Sequence, residues 1–233
     1  MIRKLGVLLT TAAVFCALSP LAVARTAPGA SDERDRAVDA AQVLTQILRA
    51  PDNTIPEDLL KDAHAIAVIP HVVKGAFMFG GEYGKGLIAQ RRSNGTWSAP
   101  AYVDLTGGSF GLQIGAAATD VVLVFTNPDG IKPLLKGKVK LGADATVAAG
   151  PIGRSASAGT DITMKAAVYS YSRSKGAFAG IALDGAVLSI DKDADRRAYG
   201  EAVTGQDILF MGRVKPNPNV EPFLEALKKD IPA

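Results

Sequence analysis

The sequence predicts an α+β fold in a single domain: a largely antiparallel sheet or barrel-like core with helices at the N- and C-terminal ends. Three observations predict it. Apolar residues recur at helical spacing near both termini, residues 65–190 are strand-like and rich in glycine, and helices and strands do not alternate as they do in parallel α/β chains.

Residues 1–24 read as an export signal rather than as part of the fold. Arg3 and Lys4 precede an apolar or small run from Leu5 to Ala17, Ser19-Pro20 breaks it, and Ala22-Val23-Ala24 fits a cleavage site after Ala24. The run is short for a membrane-spanning helix. Lipidation at Cys16 is the alternative, although bulky Phe15 stands where lipoprotein processing takes a small residue. The expected location is therefore periplasmic, envelope-associated or secreted.

Residues 25–30 form a short linker, and the domain occupies 31–233. Ser31 caps a helix whose Ala37, Ala41, Leu44, Ile47 and Leu48 share a face, ended by Pro51. Pro56 opens a second short helix, EDLLKDA. AIAVIP at 65–70 reads as a strand, and 76–90 as a glycine-rich apolar segment. Asn94-Gly95 marks a hairpin between two β-prone stretches. Further strands are expected at 97–104, 109–116, 120–126, 137–149, 162–172 and 178–190, then helices at 191–203 and 217–230.

Composition narrows the chemistry. Cys16 is the only cysteine, so the segment after Ala24 holds no disulfide, thiol nucleophile or thiolate metal site. Loss of Arg3 and Lys4 takes the formal charge from +3 to +1, too little for nucleic-acid binding by bulk charge. Anion recognition must come from local clustering.

Gly107-Gly108-Ser109-Phe110-Gly111 matches the GxSxG pattern of a hydrolase nucleophile, yet His64 and His71 lie upstream and the flanks continue as strand. The two histidines, an odd number of residues apart across a strand, face opposite ways and make a poor metal pair. Gly80, Gly81, Gly84 and Gly86 lack the Lys-Ser/Thr and the helix of a phosphate loop. No catalytic residue, metal or cofactor is called for.

Two stretches hold more promise. AGPIGR places Arg154 after a Gly/Pro turn, and YSYSRSKG sets Arg173 and Lys175 among Tyr169, Tyr171 and serines. Arginine suits phosphate as a planar fork and lysine as a point charge. Phe178 or Tyr171 would meet the apolar part of a ligand. Lys74-Gly75-Ala76-Phe77 recurs as Lys175-Gly176-Ala177-Phe178, a shared strand-entry device, and Lys74 joins the candidate cations. The plain alternative is a hairpin turn with solvated cations.

AGPIGR, YSYSRSKGAFAG, TWSAP at 96–100 and GGSFGLQIG at 107–115 together resemble the SYLF domain family, over about residues 37–230. That family includes bacterial exported proteins and eukaryotic lipid-binding and actin-associated proteins. The resemblance implies a phosphoinositide or anionic-phospholipid binder without an enzymatic reaction, with actin a partner of some eukaryotic members. It also implies membrane contact through an amphipathic N-terminal helix and basic residues. Here residues 31–49 are net acidic and alanine-rich, which suits packing on a sheet better than an anionic surface. The weight therefore falls on Arg154, Arg173 and Lys175. An envelope structural or protein-interaction module is the first alternative, a serine hydrolase the remote one.

Overall fold

The computed structural model describes residues 30–50, 55–74, 81–108, 118–153, 166–174 and 176–231. Small and branched residues on one face of α1 (Ala30–Leu48) let it lie close on its neighbours: Ala37, Ala40, Val43, Leu44 and Ile47 are all buried. α2 (Glu57–Lys61) follows Pro56 and buries Leu59 and Leu60. Its terminal carbonyls are capped by Arg91, whose guanidinium donates to the Lys61 and Leu60 oxygens at 2.7 and 3.2 Å.

Among the described residues, nine strands make one sheet: β1 (Ala65–Lys74), β2 (Gly81–Gln90), β3 (Ala101–Gly108), β4 (Thr119–Phe125), β5 (Lys138–Lys140), β6 (Val147–Ala149), β7 (Val168–Ser174), β8 (Ala177–Gly180) and β9 (Val187–Ile190). Their order is β5-β9-β3-β2-β1-β4-β7-β6, with β8 on the other half of the β7 edge. Every pairing is antiparallel except β6 with β7. The sheet curls into a half-barrel with helices at both ends of the chain, the α+β architecture that the sequence predicts.

Both faces of this sheet are covered, which explains why AIAVI is continuously apolar rather than alternating. Ile66, Val68, Leu87, Tyr102, Val122 and Val124 face a core shared with α1, α2 and α6 (Glu221–Asp230). Ala67, Ile69, Ile88, Val103, Leu123 and Phe125 face a second core. It is closed by Ile131 of α3 (Pro128–Ile131), Leu134 of the 3-10 turn Lys132–Lys136, and Ile208 and Leu209 of α5 (Gly205–Leu209). Glycine is required where β2 crosses a bulge in β1: a Cβ on Gly86 would stand 2.1 Å from the Val68 carbonyl oxygen. At the same bulge His71 takes φ 51° and donates its N–H to the Asp120 carboxylate at 3.1 Å.

Some boundaries differ from expectation. The stretch 137–149 is two short strands, parted by a turn in which Gly142 has φ 82°. The stretch 178–190 is likewise split into β8 and β9. The helix expected at 191–203 is α4 (Lys192–Tyr199), stopped at Gly200 with φ 108°. Strand β3 begins at Ala101, while Trp97 only bridges Arg91 across the Asn94-Gly95 turn. The strand expected at 109–116 lies outside the described residues.

Candidate functional site

Register brings several strand ends together. Lys74 pairs with Glu82, Gly81 with Gly108, Val72 with Thr119, Asp120 with Arg173, and Ser174 with Ala177. The connections β1–β2 and β3–β4 and the β7–β8 hairpin therefore leave from one end of the sheet. β6 runs parallel to β7 and points its exit, Gly150 to Gly153, the same way. Arg154 and Lys175 themselves, and the side chain of Lys74, lie outside the described residues.

Arg173 is described. It sits between β4 and β8, and its guanidinium donates to the side-chain oxygen of Gln46 on α1. The two aromatic candidates are interior groups. Tyr171 is 0% exposed and Phe178 is buried, their rings stacked at 5.3 Å and 6°. The Tyr171 hydroxyl donates to the Pro151 carbonyl at 3.1 Å, and burial raises its pKa above the ordinary 10.0. Gly150 lies against this ring: a Cβ there would meet Tyr171 Cζ at 2.0 Å. Exposed apolar side chains among the described residues near this end are instead Ile152, in the exit of β6, and Val73 (48%) and Tyr83 (40%), cross-strand partners on β1 and β2. Nothing in the sequence flags them, because their exposure depends on a register the sequence does not encode locally.

Beside them runs a cleft of about 430 Å³, walled by Asp32, Asp35 and Asp39 of α1 and by Lys85. The Tyr83 hydroxyl donates to Asp104 at 3.2 Å. Burial, then the proximity of Asp191, lifts the Asp104 carboxyl; burial, then Asp104, pushes Tyr83 up to about 12.

Deeper, ion pairs fasten α1 to α4 and its N-cap. Arg36 reaches Asp191 at 3.0 Å and lies 5.2 Å over the Tyr102 ring. Glu33, fully buried, is met by Arg197 at 2.8 Å. Burial pushes Asp191 up, but the Ala194 N–H and the Arg36 guanidinium outweigh it and leave the carboxyl below its ordinary range. Asp195 accepts from the Tyr102 N–H at 2.9 Å, and burial lifts it to about 7. These groups join elements of the fold.

The remaining candidates do not converge. His64 and His71 are exposed at opposite ends of the β1 core segment, and among the described residues no three His, Cys, Asp or Glu side chains gather as a metal site would require. Ser109 lies outside the described residues. A cleft of about 650 Å³ at the far end of the sheet is lined by Lys61, His64, Arg91 and Arg92, but Arg91 is committed to the α2 carbonyls and stacks on Trp97 at 4.9 Å. No described helix is long and apolar enough to cross a membrane.

Residues 106–230 match a family described as Ysc84, "Las17-binding protein actin regulator". LAS seventeen-binding protein 3 of Saccharomyces cerevisiae is 36% identical over 197 residues, covering 81% of this chain and 42% of that protein. SH3 domain-containing YSC84-like protein 1 of Homo sapiens is 31% identical over 195 residues, covering 81% and 57%. The chain thus spans less than three fifths of the length of these relatives. The family description speaks of binding and actin regulation, and the name of the yeast relative of binding; neither names an enzymatic reaction.

Proposed function

The chain belongs to the Ysc84 (SYLF) family, and from that premise we propose that it is an exported, non-catalytic module that associates peripherally with anionic phospholipid. The proposed contact is the end of the sheet that carries Arg173 and from which the chain leads into Lys74, Arg154 and Lys175. One observation carries the reading: the strand ends that flank all four cations leave the sheet in the same direction. Each Lys or Arg at an anionic surface contributes about 1 kcal/mol, so three or four give roughly 3–4 kcal/mol, a reversible and salt-sensitive attachment.

The helix α1 is the weaker membrane element. Its apolar face is already buried, and turning it outward would break the Arg36–Asp191 and Glu33–Arg197 pairs. The relatives' names favour a second reading, a module whose partner is another protein.

Flotation with neutral and anionic vesicles at low and moderate salt tests the proposal. Salt-sensitive binding to anionic vesicles alone, lost in an Arg154→Ala, Arg173→Ala, Lys175→Ala variant, is the expected result. Binding retained by that variant sinks the sheet-end site. No binding to either vesicle sinks the lipid reading and leaves the protein-partner one.

A further inference from the structure

The lateral edge of the sheet opposite Arg173, made by β5 and β9, carries a further cavity, distinct from the two clefts above. It holds about 350 Å³ between the 3-10 turn, the start of α4 and the α4–α5 connection. Leu134, Ile190 and Val203 give it apolar walls, and Lys136, Lys192 and Arg196 are its cations. Lys192 lies along the rim, its Cε 3.9 Å from where a Cβ on Gly137 would stand. Arg196 is engaged by Asp193 at 3.3 Å, so the two lysines are the freer charges.

Asp195 belongs to the same lining and is 1% exposed. Its Oδ1 accepts from the Tyr102 N–H, but Oδ2 is buried and has no hydrogen-bond partner among the described residues. A buried oxygen left without a partner among the described residues calls for a physical explanation, and a bound group in the adjoining cavity supplies one. We propose that this cavity binds a small organic anion with a compact apolar body, its oxyanion shared between the Lys136 and Lys192 ammonium groups and a hydrogen bond donated by Asp195 Oδ2.

The protonation state fits. With burial holding its pKa at about 7, Asp195 carries a proton for much of the neutral range, so it can donate. The charged and titratable groups around it are Asp191, which pushes the carboxyl up, Arg36, which lowers it, Tyr102 and Tyr199 on adjacent elements, and Glu201 with the cations of the lining. A bound oxyanion adds negative charge and strengthens the protonated form. Binding should therefore take up a proton and weaken as pH rises. The inference is independent of the lipid reading, since it uses neither the cations at the end of the sheet nor a vesicle.

The test uses hexanesulfonate, which keeps its charge across the range, with hexylammonium as the control. Calorimetry and backbone amide NMR on the full chain give affinity and location. The expected result is sulfonate-induced shifts at Lys136, Gly137 and Val203 to Gln206, with a Kd about 30-fold weaker at pH 8.5 than at pH 6 if only the protonated form binds. Asp195→Asn should keep binding and lose the pH dependence, because an amide donates at every pH while its oxygen still accepts from Tyr102. Lys136→Ala with Lys192→Ala, both at exposed positions, should weaken binding throughout. The absence of shifts at pH 6, equal binding of hexylammonium, or an unchanged pH profile in Asp195→Asn would each overturn the proposal. Should Asp195→Asn fail to fold, undiminished binding by the double lysine variant would do so alone.

Discussion

Asp195→Asn also tests the energetics of the fold. The carboxyl stands at about 7 in the native protein against an ordinary 3.8, chiefly because burial disfavours its charge. A group whose folded pKa is raised binds its proton more tightly in the native state than in the unfolded one. Between pH 4 and 7 the native state holds one more proton, so this group's contribution falls as pH rises, by about 1.4 kcal/mol per pH unit. Over that window the loss reaches about 4 kcal/mol, an upper bound because relaxation and water entry soften burial. Asparagine is nearly isosteric, keeps an acceptor for the Tyr102 N–H and has no charge to bury. Urea unfolding of wild type and variant at pH 4.5, 6 and 8 isolates the effect, because every other titrating group cancels in the difference. The variant should gain on wild type steadily with pH, by about 3 kcal/mol or somewhat less from pH 4.5 to 8. A difference that stays flat would refute burial as the cause of the raised pKa and would mean that water reaches Oδ2.

Three further predictions follow from packing, pairing and the leader. Gly150→Ala should cost about 1–3 kcal/mol in denaturant unfolding, since the new methyl meets a Tyr171 ring held by Phe178 and Pro151; an unchanged midpoint would show that the ring can retreat. Arg36→Ala leaves Asp191 unpaired where both side chains are about nine-tenths buried, at a cost of about 3 kcal/mol. Limited proteolysis should then cut first within α1, and protection equal to wild type would argue against the pair as its fastening. If the leader is processed as expected, intact-mass analysis of envelope and culture-medium fractions will find a chain beginning at Arg25; a mass retaining residues 1–24 would contradict export by that route.

The fold was more legible in the sequence than the site. Helical periodicity located α1 and α6, and the continuous apolar run at 65–69 marked a central strand, because these patterns are local. Pro56 marked the short helix α2, but α3, the 3-10 turn after it and α5 were missed. Yet α5 carries a signal: the Thr204 hydroxyl accepts from the Asp207 N–H while the Asp207 carboxylate accepts from the Thr204 N–H, a reciprocal cap readable as T-x-x-D. At the site, residue type alone gave Tyr171 and Phe178 an outward role. Alternation along β7 cannot tell which face is covered when both are, so their stacking inside the core had to come from the structure. Asp195 was unmarked for a similar reason: within DKDADRR it reads as one more solvated helix charge, and the packing of α4 against β3, where it accepts from the Tyr102 N–H, and against its other neighbours buries it.

The packing of α1 on α6 sets a timetable for assembly. Thr45 donates to Asp230 at 2.9 Å across 185 residues of chain, and Arg34 reaches the Pro218 carbonyl across 184. Among the described helices, the first made waits for the last. At ordinary synthesis speeds of 5–20 residues per second, that interval is roughly 10–40 s. During it the alanine and leucine face of α1 lacks one of its two covers, and contacts of such long sequence separation form slowly even once the chain is complete. A nascent chain in this condition is a natural client for holding chaperones, and removal of its last turn would leave the opposite terminus without its latch.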